Sequence, residues 1–191
     1  MYAEFLPDSL NQWVCYKNDY CSIWISGDDT EKKYRYFIEK FFSKNEINKD
    51  YIKKTINDID DHFGVIIITK NWLLAAVDAA RTMPIFWKKT KNIYTFSPQA
   101  RNIAQKYKNK IDKKQLLAFQ MSGYCINEGT LWQGIENINP GYFIFFQGIN
   151  KIHKEKYFSF QPWISNIRSY DVLKAELKIE IKKIIKNLIK K

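Results

Sequence analysis

The feature that most constrains the fold is a pair of apolar runs separated by two polar residues. The first run, residues 65–69, is almost wholly β-branched and too short for a helix, so it predicts a strand that is buried on both faces. After the polar break at Lys70-Asn71, Trp72–Val77 forms the second run. Two such runs with so short a connection predict an antiparallel hairpin, around which the rest of the chain is organised.

Asp78, Arg81 and Pro84 follow this hairpin at fixed spacing, before the aromatic run 85–87. Side-chain chemistry alone predicts that Asp78 caps a turn, that Arg81 forms a partly buried ion pair with it, and that Pro84 ends the pairing. Breaking such a pair from one side would cost about 3 kcal/mol. If it did not, a ligand-binding role for the two side chains would be the better interpretation.

Gly64, the run Ala76-Val77-Asp78, Pro84 and residues 85–87 resemble "G-x-F-A … R-D-x-x-G-x-x-P-L-Y-Y", the core motif of the N-terminal glutaminase domain of asparagine synthetases. The resemblance covers about residues 22–160 and is strongest over 64–142. Its further matching positions are Ile93–Ser97, Gly123, Thr130-Leu131, Gly134-Ile135 and Pro140-Gly141. It implies an α+β fold of the N-terminal-nucleophile (Ntn) hydrolase type, a sandwich of antiparallel sheets with outer helices, followed by a C-terminal amphipathic helix.

Glutaminases of this family attack the glutamine amide with a cysteine thiolate directly after the initiator Met, and the free α-amine serves as the base. Position 2 here is Tyr2. The family motifs "R-G-P-D" and "N-G-E-I-Y-N", which bind glutamine and form the oxyanion hole, are missing; only Ser26-Gly27 lies near the place of the second. We therefore expect no catalytic residue. The candidate ligand-binding residues are Ser26, Gly27, Asp78 and Arg81.

Cys21 offers an alternative nucleophile. Cys21-Ser-Ile-Trp resembles the "C-G-I-W" with which some asparagine synthetases begin, so cleavage before Cys21 would expose a terminal thiol. Too few residues separate Cys21 from Gly64 to hold the missing binding motifs, and a buried strand cysteine is the simpler interpretation. With Cys15 and Cys125 it makes an odd number of widely spaced cysteines, which predicts neither a disulfide framework nor a metal site.

Elsewhere the pattern predicts strands and helices on both sides of the central hairpin. A first hairpin is expected from residues 13–16 and 21–26, and helices from residues 34–42, 47–59, 98–107 and 113–120. In the last of these, Asp112 would be the N-cap, Gly123 would end the helix, and Leu116, Leu117 and Phe119 would form its apolar face. Further strands are expected over 142–146, 149–153 and 157–160, with His153 a surface strand residue.

The C-terminal segment is strongly basic. From Arg168 onward there are eight Lys or Arg against three acids, within a chain of net charge +11. The segment 169–191 predicts an amphipathic helix whose apolar face is Leu173, Leu177, Ile181, Ile184, Ile185 and Leu188. We expect two parts, a glutaminase-like domain over 1–167 and a helix over 168–191 that would lead into an absent ATP-dependent synthetase domain. ATP and Mg²⁺ would belong to that domain, so no cofactor is expected in this chain.

The predicted function is that of a degenerate glutamine amidotransferase-like domain of an asparagine synthetase-like protein. On its own the chain would be inactive, and it would support an ATP-dependent amide-forming domain that acts in trans or was lost by truncation. Partners would be that synthetase domain or a second copy, bound through helix 169–191. One alternative is an active glutamine-hydrolysing asparagine synthase domain; another is a basic module for membranes or nucleic acid. No run approaches the roughly 18 apolar residues of a membrane span and no leader is present, so a cytoplasmic location is predicted.

Overall fold

The computed structural model describes residues 2–7, 13–42, 47–59, 61–91, 93–147, 151–160 and 168–189. The chain divides into two compact units, Met1–Ser159 and Phe160–Lys191. The boundary predicted between residues 167 and 168 falls beside residues outside the described ranges, so it stays a prediction. The sequence predicts an irregular or short-strand lead-in over residues 1–10; this stretch lies partly outside the described ranges, and its described part contains the strand Tyr2–Phe5.

The predicted hairpin is confirmed at the centre of a six-stranded antiparallel sheet. Residue pairs run from Gly64 opposite Val77 to Ile68 opposite Leu73. Because successive side chains point to opposite faces, Val65 and Ile67 enter one core cluster and Ile66 enters another, so the first strand is buried on both sides. In spatial order the strands are β10 (Lys151–Lys156), β9 (Tyr142–Gln147), β5 (Trp72–Val77), β4 (Phe63–Thr69), β3 (Cys21–Gly27) and β2 (Val14–Lys17).

A second sheet of four strands packs against one face of the first. Its order is β1 (Tyr2–Phe5), β7 (Ile93–Ser97), β6 (Phe86–Thr90) and β8 (Glu136–Asn137), with β1 and β7 parallel and the other pairs antiparallel. The contact between the sheets centres on Phe146 of β9. Its ring centroid lies 5.5 Å from Trp87, 4.4 Å from Tyr94 and 6.1 Å from Phe96.

Helices cover the outer faces of both sheets. Phe37 of α1 (Thr30–Phe42) and Ile52 of α2 (Lys49–Asn57) are buried against the six-stranded sheet. Ile103 of α3 (Ala100–Tyr107) is buried beside Phe86 of the four-stranded sheet. The result is a four-layer α+β sandwich with mainly antiparallel sheets and outer helices, as predicted.

Helix α4 (Lys113–Ser122) has the predicted caps, but the prediction that its apolar face joins the core is wrong. Asp112 caps it as predicted, accepting from the backbone N–H groups of Lys114 at 3.0 Å and Gln115 at 3.2 Å, and Gly123 ends it with φ +80°. Its apolar face is not buried, however: Leu116, Leu117 and Phe119 are 36%, 58% and 44% exposed. Polar contacts hold this helix instead, since the Gln115 amide both accepts from the N–H of Ile126 and donates to its carbonyl.

The strand predictions after β9 are shifted. Strand β10 begins at Lys151 and ends at Lys156, and the strand expected over 157–160 is absent from this described segment. The chain leaves the sheet there because the Gly141 carbonyl accepts from the N–H groups of both Tyr157 and Phe158. Tyr157 then points inward and donates its hydroxyl to the Val77 carbonyl at 2.6 Å. His153 lies on β10 and is partly exposed, as predicted.

The predicted C-terminal helix is confirmed as α5 (Tyr170–Ile189). Five of the six residues assigned to its apolar face are exposed by 41% to 61%, and the side chain of the sixth, Leu188, lies outside the described residues. Among the helices of the described ranges, none is long and apolar enough to cross a membrane.

Candidate functional site

Three of the four candidate ligand-binding residues meet at one end of the six-stranded sheet. Ser26 and Gly27 end β3, where they pair with Gly64 and Phe63 of β4. Asp78 follows β5 and donates its backbone N–H to the Phe63 carbonyl at 2.9 Å. The sheet register therefore aligns Gly27, Phe63 and Asp78 in one row across three strands.

The carboxylate of Asp78 is buried and satisfied by its own turn. It is 3% exposed and accepts four hydrogen bonds, from the N–H groups of Phe63, Ala80 and Thr82 and from the Thr82 hydroxyl. The nearest of the backbone donors is Ala80 at 2.8 Å. Asp78 thus caps the turn, as predicted, and leaves little capacity for a ligand.

The ion pair predicted between Asp78 and Arg81 is wrong. The Arg81 guanidinium instead donates to Oδ1 of Asn137 at 2.6 Å. Two causes act together: the turn already satisfies Asp78, and Arg81 has a left-handed backbone with φ +55° that sends its side chain elsewhere. In the resembled motif this position is a glycine, the residue that adopts such a backbone without strain.

The sheet end around Ser26 is closed. Ser26 is 2% exposed, and its hydroxyl donates to the Met83 sulfur at 3.4 Å. A Cβ added to Gly64 would lie 2.8 Å from the Trp13 ring and 2.9 Å from Cβ of Met83. The turn after β5 and the Trp13 ring therefore pack closely against Gly64 and leave no room there for a side chain.

Gly27 is equally constrained, because its φ is +125° and an added Cβ would lie 2.3 Å from the His62 carbonyl oxygen. Its outer side lines a cavity of about 510 Å³ beside Asp28, Asp29 and Glu31. A cluster of carboxylates does not suit the α-carboxylate of an amino acid. The ligand-binding role of Ser26, Gly27, Asp78 and Arg81 stays a prediction, and the geometry favours it for Arg81 alone.

The three thiols all have raised pKa values. Cys21, the alternative nucleophile, is 6% exposed, and burial raises its pKa to about 11 against the opposing effect of Asn18. Burial also raises the pKa of Cys15 and of Cys125. A cysteine nucleophile needs the opposite shift, since the thiolate is the reactive form. Cys21 thus has the buried strand environment that the sequence indicated.

A cavity of about 650 Å³ lies on the outer side of the four-stranded sheet, where Arg81 points. Arg101 of α3 is a second guanidinium in its lining, and no carboxylate belongs to the described residues that line it. Phe119, Tyr124, Trp132 and Gln99 also line the cavity. Sequence reasoning missed Arg101, although the stretch 98–111 carries several bases and no acid.

Buried hydrogen bonds hold the wall of this cavity. Asn137 of β8, 6% exposed, accepts from Arg81 and donates its amide to the carbonyls of Asn127 at 3.4 Å and Gly129 at 3.3 Å. Arg81 is therefore fixed both through its backbone and through its side chain. Over the described ranges, the structure holds no group of three His, Cys, Asp or Glu residues that could bind a metal ion.

No protein-family model matches the sequence, and no curated protein matches it. Among solved structures, the chain is similar to glutamine phosphoribosylpyrophosphate (PRPP) amidotransferase from B. subtilis, complexed with ADP and GMP, at 12% identity and a TM-score of 0.41. A second similar structure is described as the allosteric regulatory enzyme of purine biosynthesis, at 11% identity and a TM-score of 0.38. Each match covers 78% of this chain and 32% or 31% of the other, so the chain spans about a third of their length. Similarity this distant carries no conclusion about activity or ligands.

Proposed function

We propose that this chain is a degenerate glutaminase-like domain of the asparagine synthetase kind, which does not hydrolyse glutamine and supports an ATP-dependent amide-forming domain. The proposal rests on the motif that spans Gly64, Asp78 and Pro84, and on the strands and turn in which those residues lie. The observation that supports the proposed loss of activity is the close packing of Met83 and Trp13 at the Ser26 end of the sheet.

Glutamine hydrolysis by a thiol needs two groups at one point. One is a thiolate, and the other is a set of N–H donors for the oxyanion of the tetrahedral intermediate. Here the Ser26 hydroxyl is directed to the Met83 sulfur, and Trp13 and Met83 occupy the adjacent space. The Cys21 thiol is protonated at neutral pH, because burial raises its pKa to about 11. Cys21 also lies at the opposite end of β3 from Ser26, because it pairs with Thr69 whereas Ser26 pairs with Gly64.

Ammonia release from glutamine tests this part of the proposal. The purified chain should release no ammonia above the buffer rate, and Cys21→Ser should leave that rate unchanged. Cys125→Ser is the matched control, because burial raises the pKa of that thiol too and Cys125 lies outside β3. Glutamine-dependent release that Cys21→Ser abolishes and Cys125→Ser retains would show an active glutaminase instead.

We assign to α5 the contact with the proposed ATP-dependent amide-forming domain. Its apolar residues Leu177 and Ile184 are 61% and 56% exposed, and burying an aliphatic side chain of this size contributes roughly 1.5 to 3 kcal/mol. We propose that a separately encoded or covalently following ATP-dependent ligase domain covers this face. ATP and Mg²⁺ would bind to that domain, and the ligase would use ammonia or another amine directly.

Sedimentation of the purified chain over a hundredfold concentration range tests the choice of partner. A monomer throughout is expected if the apolar face of α5 belongs to a different domain. A dimer that Leu177→Glu dissociates would show that a second copy covers the face, which would contradict the proposed ligase contact. Lys178→Glu, a change at the next position along α5, is the control for charge alone.

A further inference from the structure

We propose that the 650 Å³ cavity lined by Arg81 and Arg101 binds the phosphate group of a small organic phosphate. The inference is independent of the glutaminase-like proposal. It rests on the cavity that Arg81 and Arg101 line, whereas that proposal rests on the sheet end at Ser26 and on Cys21. Four observations support it: the pairing of the arginines, the backbone of Arg81, the start of α3 and the aromatic lining.

The four arginines of the chain fall into two pairs. Arg35 forms an ion pair with Glu31, and Arg168 forms one with Glu176. Arg81 and Arg101 form no ion pair with any described residue, and these are the two that line the cavity. Two guanidinium groups in one lining, with no carboxylate beside them, give the cavity a positive potential. The arrangement therefore favours an anionic ligand.

Arg81 is held in place at a conformational cost. Its φ of +55° lies in the left-handed region, which a residue with a long side chain rarely adopts. The Asn137 amide oxygen accepts one of its five N–H donors at 2.6 Å and thereby orients the planar group. Backbone strain that persists at a cavity wall is typical of binding sites, where it fixes a side chain in advance. Within the described ranges, Asn137 is the one side-chain partner of the Arg81 guanidinium, which leaves further donors for a ligand.

The start of α3 adds to the positive potential. Gln99, Ala100 and Arg101 all line the cavity, and Gln99 at the N-cap makes no side-chain hydrogen bond to the first turn. That turn contains no acidic residue. Free N–H groups and the positive end of a helix dipole favour an anion, and phosphate binds at such positions in many proteins.

The rest of the cavity suits an uncharged planar group. Phe119 and Tyr124 are 44% and 68% exposed at its margin, and Trp132 is also in the lining. Phe119 belongs to the uncovered apolar face of α4, and exposed apolar patches of this kind are typical of binding sites. The volume lies within the roughly 300 to 1,000 Å³ of ordinary small-molecule sites. A phosphate monoester of a planar group would use both parts of the cavity.

Isothermal titration with AMP, inorganic phosphate and adenosine tests the proposal on the full chain. AMP and phosphate should bind and adenosine should not, and the affinity for AMP should fall with added salt. Arg101→Ala should weaken AMP binding about tenfold or more, the loss expected for one charged hydrogen-bond donor. Arg81→Gly should do the same, because glycine adopts the left-handed backbone without strain while the substitution removes the side chain with its guanidinium.

Arg35→Ala is the control, since it removes an exposed arginine that already has a carboxylate partner. It should leave AMP binding unchanged. Failure of both AMP and phosphate to bind at millimolar concentration would overturn the proposal. So would binding that Arg101→Ala and Arg81→Gly both retain at full affinity while their melting temperatures show them to be folded.

Discussion

Removing the carboxylate of Asp78 should destabilise the chain through lost hydrogen bonds rather than through a lost ion pair. In Asp78→Ala, four donors lose their acceptor. The N–H of Phe63 belongs to a residue that is 1% exposed, so water cannot replace the carboxylate there, and an unsatisfied buried donor costs about 1 to 3 kcal/mol. Ala80 and Thr82 are exposed, and their donors can turn to water at a smaller cost.

Together these terms give about 3 kcal/mol for Asp78→Ala, of which the buried donor is the largest part. For a unit of this length that corresponds to a fall in melting temperature of about 6 to 12 °C. Asp78→Asn keeps one side-chain carbonyl as an acceptor and should lose roughly half as much. Urea unfolding followed by tryptophan fluorescence measures both variants.

Arg81→Gly separates this explanation from the ion pair that the sequence suggested. An ion pair would make the loss of Arg81 as costly as the loss of Asp78. We expect little change instead, because the lost hydrogen bond to Asn137 is offset by relief of a left-handed backbone, worth about 1 kcal/mol. The reasoning is refuted if Arg81→Gly destabilises the chain as much as Asp78→Ala does. It is also refuted if the Asp78→Ala variant has the same melting temperature as the unchanged chain.

Three further changes test other parts of the structure. Gly27→Ala should lower the melting temperature far more than Gly123→Ala, because both positions have positive φ but only at Gly27 would the new Cβ meet a backbone atom, the His62 oxygen at 2.3 Å. Burial raises the pKa of the Cys21 thiol from 9.0 to about 11. Between these two pH values the folded state keeps a proton that the unfolded state releases. The stabilisation that Cys21 contributes is therefore complete below pH 9 and is lost as pH rises through about 11. Cys21→Ser should flatten that alkaline fall in urea unfolding. Deleting residues 168–191 should leave the melting temperature of the first unit within about 2 °C, because each unit is compact by itself.

The strands of the central sheet were predictable because their signals are local. A β-branched run such as residues 65–69 favours extended backbone whatever surrounds it, and a two-residue break can only join antiparallel neighbours. The caps of α4 were predictable for the same reason, since Asp112 and Gly123 act on the adjacent turn. These features need no knowledge of distant contacts.

The errors arose where partners come from distant parts of the chain. Asp78 and Arg81 have opposite charges at close spacing, and only the folded turn shows that backbone donors satisfy the first while Asn137 accepts from the second. The apolar residues of α4 predict a buried face, but Gln115 fastens the helix through the Ile126 backbone without covering them. The cavity escaped prediction because its two arginines are twenty positions apart and line one cavity only when α3 folds over the second sheet.

The central claim, that the glutaminase site is closed, is tested most directly by a glutamine analogue whose diazoketone group alkylates an activated active-site thiol. Intact-mass measurement of the full chain after incubation at neutral pH should show no added mass, because burial keeps all three thiols protonated and Met83 and Trp13 fill the sheet end. Stoichiometric addition at Cys21, prevented by excess glutamine, would contradict the claim and show that a working glutamine site forms in this domain.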